Sequence, residues 1–191
     1  KILTLTKMFE SKNIILSISK LNLSNYTLKG YNNSFIFLSS CPSISWDNNK
    51  KAKISTLLQN FKRLKKRKIS LVISLIEINE SRKLGLINLP KVLKKIQIKI
   101  IKLPIKNMSI PGDYQSFQIR LSLKKILDEL KNNRNIIIHC HAGLGRTGIL
   151  ASLILKSFNL KSENSIEIIR KIRPGSIETK EQENFVKDFN I

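Results

Sequence analysis

The sequence predicts an α/β fold, a mainly parallel central sheet with helices on both faces. Two observations predict it. Apolar runs of β type occur at Phe35–Leu38, Ser70–Ile76, Ile98–Leu103 and Ile136–His139, and longer helical patterns sit between or after them. Loops that follow the strands carry the chain's polar and glycine-rich chemistry, as expected where functional loops gather at the carboxyl ends of parallel strands.

The elements follow in order. Residues 1–34 read as an N-terminal extension packed on or near a single domain spanning 35–191. Lys1 to Lys20 alternates apolar and polar residues and carries charges at Glu10 and Lys12, which makes a poor signal peptide. Phe35–Leu38 is the first strand, with Cys41 expected as a buried residue at its end. Lys51–Lys66 reads as a helix because Ile54, Leu57, Leu58, Phe61 and Leu64 share one side, leaving its lysines as a solvated face. The strand Ser70–Ile76 runs into a short acidic turn, Glu77 to Glu80. Asn88–Leu93 makes a shorter helix with Pro90 tolerated in its first turn. Then come the strand Ile98–Leu103, a helix over Asp113–Lys131, the strand Ile136–His139, and helices over Gly148–Phe158, Glu163–Ile172 and Lys180–Phe189. The chain has 191 residues, no repeat and no low-complexity linker, which suits one domain with a sizeable core.

Composition narrows the function classes. No apolar run approaches the eighteen or so residues a membrane span needs. Two cysteines argue against a disulfide framework and for a reducing compartment such as the cytoplasm, with export into another cell left open. The net charge is +22, mostly lysine, in a chain also rich in isoleucine and asparagine, the trio that AT-rich coding sequence produces. Clusters at Asn48–Lys53, Lys62–Lys68 and Lys91–Lys102 give a positive field that steers phosphorylated or acidic partners. His139 and His141 stand two apart with no further Cys or His cluster, so no metal site is expected, and no cofactor.

The densest chemistry lies in His139-Cys140-His141-Ala142-Gly143-Leu144-Gly145-Arg146-Thr147-Gly148. A buried strand, a tight glycine loop and a helix N-terminus converge backbone N–H groups on one spot, which favours an anion. Dipoles there favour the thiolate of Cys140, the nucleophilic form of cysteine. Arg146 supplies a planar fork for two phosphoryl oxygens. Gly143 and Gly145 allow the backbone close to a ligand. Thr147 can donate its hydroxyl to the sulfur when the thiolate departs. His139, behind the loop, is expected to order its backbone rather than act as a base. A Walker-type lysine is absent after the last glycine, which excludes nucleotide hydrolysis by that route.

The motif matches H-C-x-x-G-x-x-R-[S/T]-G, and the chain resembles the cysteine-dependent protein tyrosine phosphatases, in particular the dual-specificity group of the small kinase-associated type. The resemblance runs from about Phe35 to the C-terminus. It extends to the strand and acidic turn around Leu71–Glu80, to Leu103-Pro104-Ile105-Lys106-Asn107, and to Arg173-Pro174-Gly175-Ser176-Ile177-Glu178-Thr179 with Gln182 and Phe185. It implies a protein tyrosine phosphatase-like fold and hydrolysis of phosphotyrosine, with phosphoserine and phosphothreonine, through a phospho-cysteine on Cys140. His141, Ala142, Gly143, Leu144, Gly145 and Asn107 would line the phosphate site with Arg146, and Gln182 would orient the attacking water. The implied partner is a phosphorylated protein, and a monomer is expected.

One position departs from the family. The loop that carries its general acid ends here in Asn107, which cannot donate a proton as an acid does. Asp113 is the nearest carboxyl group on that stretch and is the candidate acid; it also suits an N-cap of the following helix. Two rivals stay open. One is a phosphatase of the same fold acting on anionic lipid (phosphoinositide) or RNA 5′ ends, although Leu144 and His141 stand where lipid phosphatases of this fold often carry lysine. The other is a phosphate-binding module that lost turnover with its acid.

Overall fold

The computed structural model describes residues 7–9, 16–26, 31, 33–42 and 54–191. Trp46, the charges at Glu10 and Lys12, and the basic cluster from Asn48 to Lys53 lie outside the described residues.

Among the described residues six strands form one sheet: β1 (Lys7–Phe9), β2 (Leu16–Asn22), β3 (Phe35–Ser39), β4 (Ile69–Ser74), β5 (Lys99–Lys102) and β6 (Asn135–His139). Their order is β1-β2-β3-β6-β4-β5. The pairings β3–β6, β6–β4 and β4–β5 are parallel, and β1–β2–β3 are antiparallel. The parallel α/β sheet expected from sequence is present, with an antiparallel edge added.

The helices are α1 (Ile54–Lys65), α2 (Ile78–Lys83), α3 (Leu89–Lys95), α4 (Asp113–Lys131), α5 (Gly145–Lys156), α6 (Ser162–Ile172) and α7 (Lys180–Asp188). Strand alternation splits the core between the two faces of the sheet. Ile36, Leu38, Leu71, Ile73, Ile136 and Ile138 point to one side, against Ile126 of α4, Leu153 of α5, Ile169 of α6 and Val186 of α7. Phe37, Val72 and Ile137 point to the other, against Leu57 and Phe61 of α1 and Val92 and Leu93 of α3. β6 is buried along its whole length because it has neighbours on both edges and helices on both faces.

The structure differs from the sequence expectations in four places. β2 lies within the stretch read as an extension, and it buries Ile18 and Leu21 while pairing Ile18 to Ser39 and Leu21 to Ile36. Its short apolar alternation becomes a strand because β3 offers it an open edge. Residues 78–83 form the helix α2 rather than a bare acidic turn. α5 begins at Gly145, so Arg146 and Thr147 stand in its first turn rather than ahead of it. The N-cap of α4 is Gly112; Asp113 is the first helical residue and makes no side-chain cap, although its charge still suits the helix's positive end.

Candidate active site

Four parallel strands deliver their carboxyl ends to one edge, and the segments after β3, β4, β5 and β6 meet there. Cys140 directly follows β6 and is 2% exposed. The Gly143 N–H donates to its Sγ at 3.2 Å. That same peptide's carbonyl, on Ala142, accepts from Nη2 of Arg173 at 2.9 Å, and Nε of Arg173 donates to the Gly143 oxygen at 2.6 Å. In a trans peptide the C=O and N–H point in opposite directions, so a cation holding the carbonyl outward aims the N–H inward at the sulfur. Arg173 is itself tied to β2, donating to Oγ of Ser17 at 3.1 Å and to Oγ of Ser19 at 3.3 Å.

Gly143 is obligatory. Its φ is +78°, and a Cβ would stand 2.3 Å from the Ser39 carbonyl oxygen. The loop thus lies on the end of β3, an approach also fastened by Cys41 N–H donating to the His141 oxygen at 2.8 Å.

Arg146 is buried, at 2% exposure, and its guanidinium is held on every side. Nη1 donates to Glu80 Oε2 at 2.7 Å and to the Ile105 carbonyl at 3.0 Å. Nη2 donates to Glu80 Oε1 at 2.9 Å and to Asn107 Oδ1 at 2.8 Å. Burial alone would lower the pKa of Arg146, but its hydrogen bonds to Glu80 and the nearby Cys140 sulfur raise it. Burial would likewise raise Glu80, yet Arg146 and His141 hold its carboxyl below the usual range. His141 reaches Glu80 Oε1 through Nδ1 at 3.2 Å.

His139 is fully enclosed and faces the Cys140 carbonyl through Nδ1 at 3.3 Å. Burial pushes it down to about 4, so the ring is neutral at pH 7. Thr147 is fully buried, and its Oγ1 has no hydrogen-bond partner, the sulfur included.

Gln182 is fully buried at the start of α7. Its Oε1 accepts from Glu178 N–H at 2.9 Å and its Nε2 donates to the Ser109 carbonyl at 3.3 Å. Oε2 of Glu178 accepts from Gly145 N–H at 2.8 Å, and a Cβ on Gly145 would strike both side chains. Leu144 caps α5, its carbonyl accepting from Gly148 N–H at 2.7 Å.

The structure therefore joins Cys140, Arg146, Asn107 and Gln182 around one loop. Asp113 makes none of these contacts. Its carboxylate is exposed and lines a cleft between α4 and α7 with Ser116, Arg120, Phe185, Asp188 and Phe189. Sequence reasoning missed Glu80, Arg173 and Glu178 as parts of the site. The signal was present: all three lie in segments that carry the family resemblance.

The arrangement can hold a tetrahedral oxyanion over a sulfur, with a guanidinium and converging amides around it. Comparison with known proteins agrees with that geometry. Residues 51–186 match the family model described as the Swiss Army Knife protein DSP-PTPase phosphatase domain. Protein tyrosine phosphatase domain-containing protein 1 of Danio rerio is 36% identical over 70 residues, 36% of this chain and 10% of that protein. Cyclin-dependent kinase inhibitor 3 of Mus musculus is 40% identical over 62 residues, 31% of this chain and 29% of that one. The matches thus span less than a third of these relatives' lengths. A crystal structure of kinase associated phosphatase, with its catalytic-site cysteine replaced by serine, superposes with a TM-score of 0.76 at 24% identity, covering 94% of this chain and 96% of that one. The active form of Tk-PTP gives 0.62 at 22%, covering 85% and 94%. These two share the fold. With the family model covering well over half of its length, a cysteine at the floor of the loop and an arginine locked beside it, the chain belongs to the DSP-PTPase family of cysteine-dependent phosphatase domains.

Proposed function

We propose that the protein hydrolyses phosphate monoesters on proteins, phosphotyrosine foremost, with phosphoserine and phosphothreonine turned over more slowly. The observation that carries this reading is the Cys140 sulfur lying under the Gly143 N–H while the adjoining guanidinium is held rigid by Glu80. Sγ of Cys140 attacks phosphorus in line with the ester oxygen; the P–O bond breaks and a phospho-cysteine forms. Loop amides and Arg146 hold the equatorial oxygens, where charge develops. Water then attacks the phosphorus and the thiolate leaves, with Gln182 and Glu178 at hand to orient it.

Substrate binding takes the Nη2 hydrogen now donated to Asn107. Giving up one neutral hydrogen bond costs about 0.5–1.5 kcal/mol. The ester oxygen needs a proton on departure, and Asn107 has none to give. Asp113 supplies it in this reading, after movement of the 108–112 loop. A tyrosyl oxygen leaves with less help than a seryl one, which is the basis for the substrate order.

A phosphoinositide substrate is less well served. Leu144 is apolar and His141 is engaged with Glu80, so the loop adds no lysine for further phosphates. Pre-steady-state hydrolysis of p-nitrophenyl phosphate is the test. The reading requires a burst of nitrophenol from the parent and none from Cys140→Ser, with phosphopeptides turned over faster than inositol lipids. Phosphopeptide binding without a burst would leave a binding module instead.

A further inference from the structure

A helix on the outside of a domain needs one apolar face, and α4 has two. Ile119, Leu123, Ile126 and Leu130 are buried in the core. On the outer side Tyr114 is 72% exposed, Phe117 53% and Leu121 52%. Residues three and seven apart fall on one side of a helix, so these form a strip roughly 10 Å long. Among the described residues, five of the eight exposed large apolar side chains lie between Met108 and Leu121. That stretch begins next to Asn107, which touches Arg146, and Ser109 within it touches Gln182. A concentration of exposed apolar surface of this kind is characteristic of an interaction site rather than of random scatter.

Charge decides the occupant. Lys124 and Lys125 are exposed one turn beyond Leu121 on α4, and Lys102 and Lys106 are exposed on the segment leading into it, against Asp113 and Asp128 on the helix, and the chain carries +22 overall. Two copies would repel one another across this face, whereas an acidic partner would be drawn to it.

We propose that Tyr114, Phe117 and Leu121 dock the phosphorylated partner protein, taking apolar side chains from an acidic segment that flanks the phosphorylated residue. This rests on the phosphatase reading above and adds the substrate class. Affinity then comes from the strip, while the loop around Cys140 reads only the phosphoryl group.

The test uses p-nitrophenyl phosphate and two acidic phosphotyrosine peptides, one with leucines flanking the phosphotyrosine and one with serines. The leucine peptide should have the lower KM. Phe117→Ser with Leu121→Ser should raise that KM about tenfold, the effect of losing one well-buried contact, without changing kcat/KM for p-nitrophenyl phosphate. Fluorescence anisotropy of both peptides with Cys140→Ser reads docking without turnover. Equal affinity for the two peptides in wild type overturns the proposal, as does an unchanged KM in the double variant. So does a wild-type dimer that the variant turns to monomer, which would seat a second copy on the strip. Absence of nitrophenol release by wild type would instead sink the phosphatase reading, and the anisotropy comparison would still judge the strip.

Discussion

Glu80 and Arg146 face each other as two forks, with both carboxylate oxygens on both terminal nitrogens at 2.7 and 2.9 Å. The pair links α2, which follows β4, to the first turn of α5, which follows β6. It neutralises a guanidinium that is 2% exposed and fixes its plane beside Cys140.

Removing the carboxylate should leave that buried charge without a counterion. Glu80→Gln is expected to lose about 1–3 kcal/mol of stability, less than a fully buried pair because Glu80 is partly accessible. Urea denaturation measures it. Because the folded carboxyl sits below its ordinary range, the pair's contribution is complete above that range and fades as pH falls through the folded value. Glu80→Gln should therefore show a flatter loss of stability in acid than the parent.

Glu129 provides a second acid-sensitive tie, away from the site. Burial would raise it, but Arg134 at 2.6 Å, Lys99 at 2.8 Å and Ser70 at 2.6 Å hold it at about 2. Its stabilisation is present above the ordinary value of 4.5 and is lost as pH falls from there toward about 2. Screening of the exposed partners leaves about 1–2 kcal/mol. Glu129→Gln should erase that part of the slope in denaturation series run between those pH values.

Asn107 and Asp113 can be separated by leaving group. Asn107→Asp should change turnover of a phosphoserine peptide little while Asp113 delivers the proton; a gain of about 10²–10⁴-fold, with p-nitrophenyl phosphate affected far less, would mark a parent enzyme that lacks its acid. Asp113→Asn should depress the phosphoserine rate in the parent background if Asp113 delivers the proton. An unchanged rate would remove Asp113 from the mechanism.

Arg173 is expected to act on the loop, not on substrate. Arg173→Met frees the Ala142 and Gly143 carbonyls and lets the inward N–H groups wander. Vanadate affinity should fall about tenfold, with Arg173→Lys recovering only part of it because lysine cannot hold two carbonyls in one plane. An unaltered affinity would mean that the loop keeps its shape alone.

The parallel core was legible because Ile136-Ile137-Ile138 and Leu71-Val72-Ile73 can be buried on two faces only inside an α/β sandwich. The loop was legible because Cys140, Gly143 and Arg146 sit at fixed spacing along one continuous segment. β2 was not, since a short alternating run becomes a strand only when β3 leaves an edge for it. Nor was the cap of α4, where Gly112 rather than Asp113 has the extended backbone that starts the helix.

By itself the sequence determined the residue types at the phosphate loop, the layer order and the asparagine where a carboxyl group is expected. Only the tertiary structure decided which charges serve that loop. Glu80, Arg173 and Glu178 are 60, 33 and 38 residues from Cys140 along the chain, and separation in sequence carries no distance. Packing four strand ends on one edge is what brought Glu80 onto Arg146, Arg173 behind the carbonyls and Asn107 into contact, while it turned Asp113 toward α7.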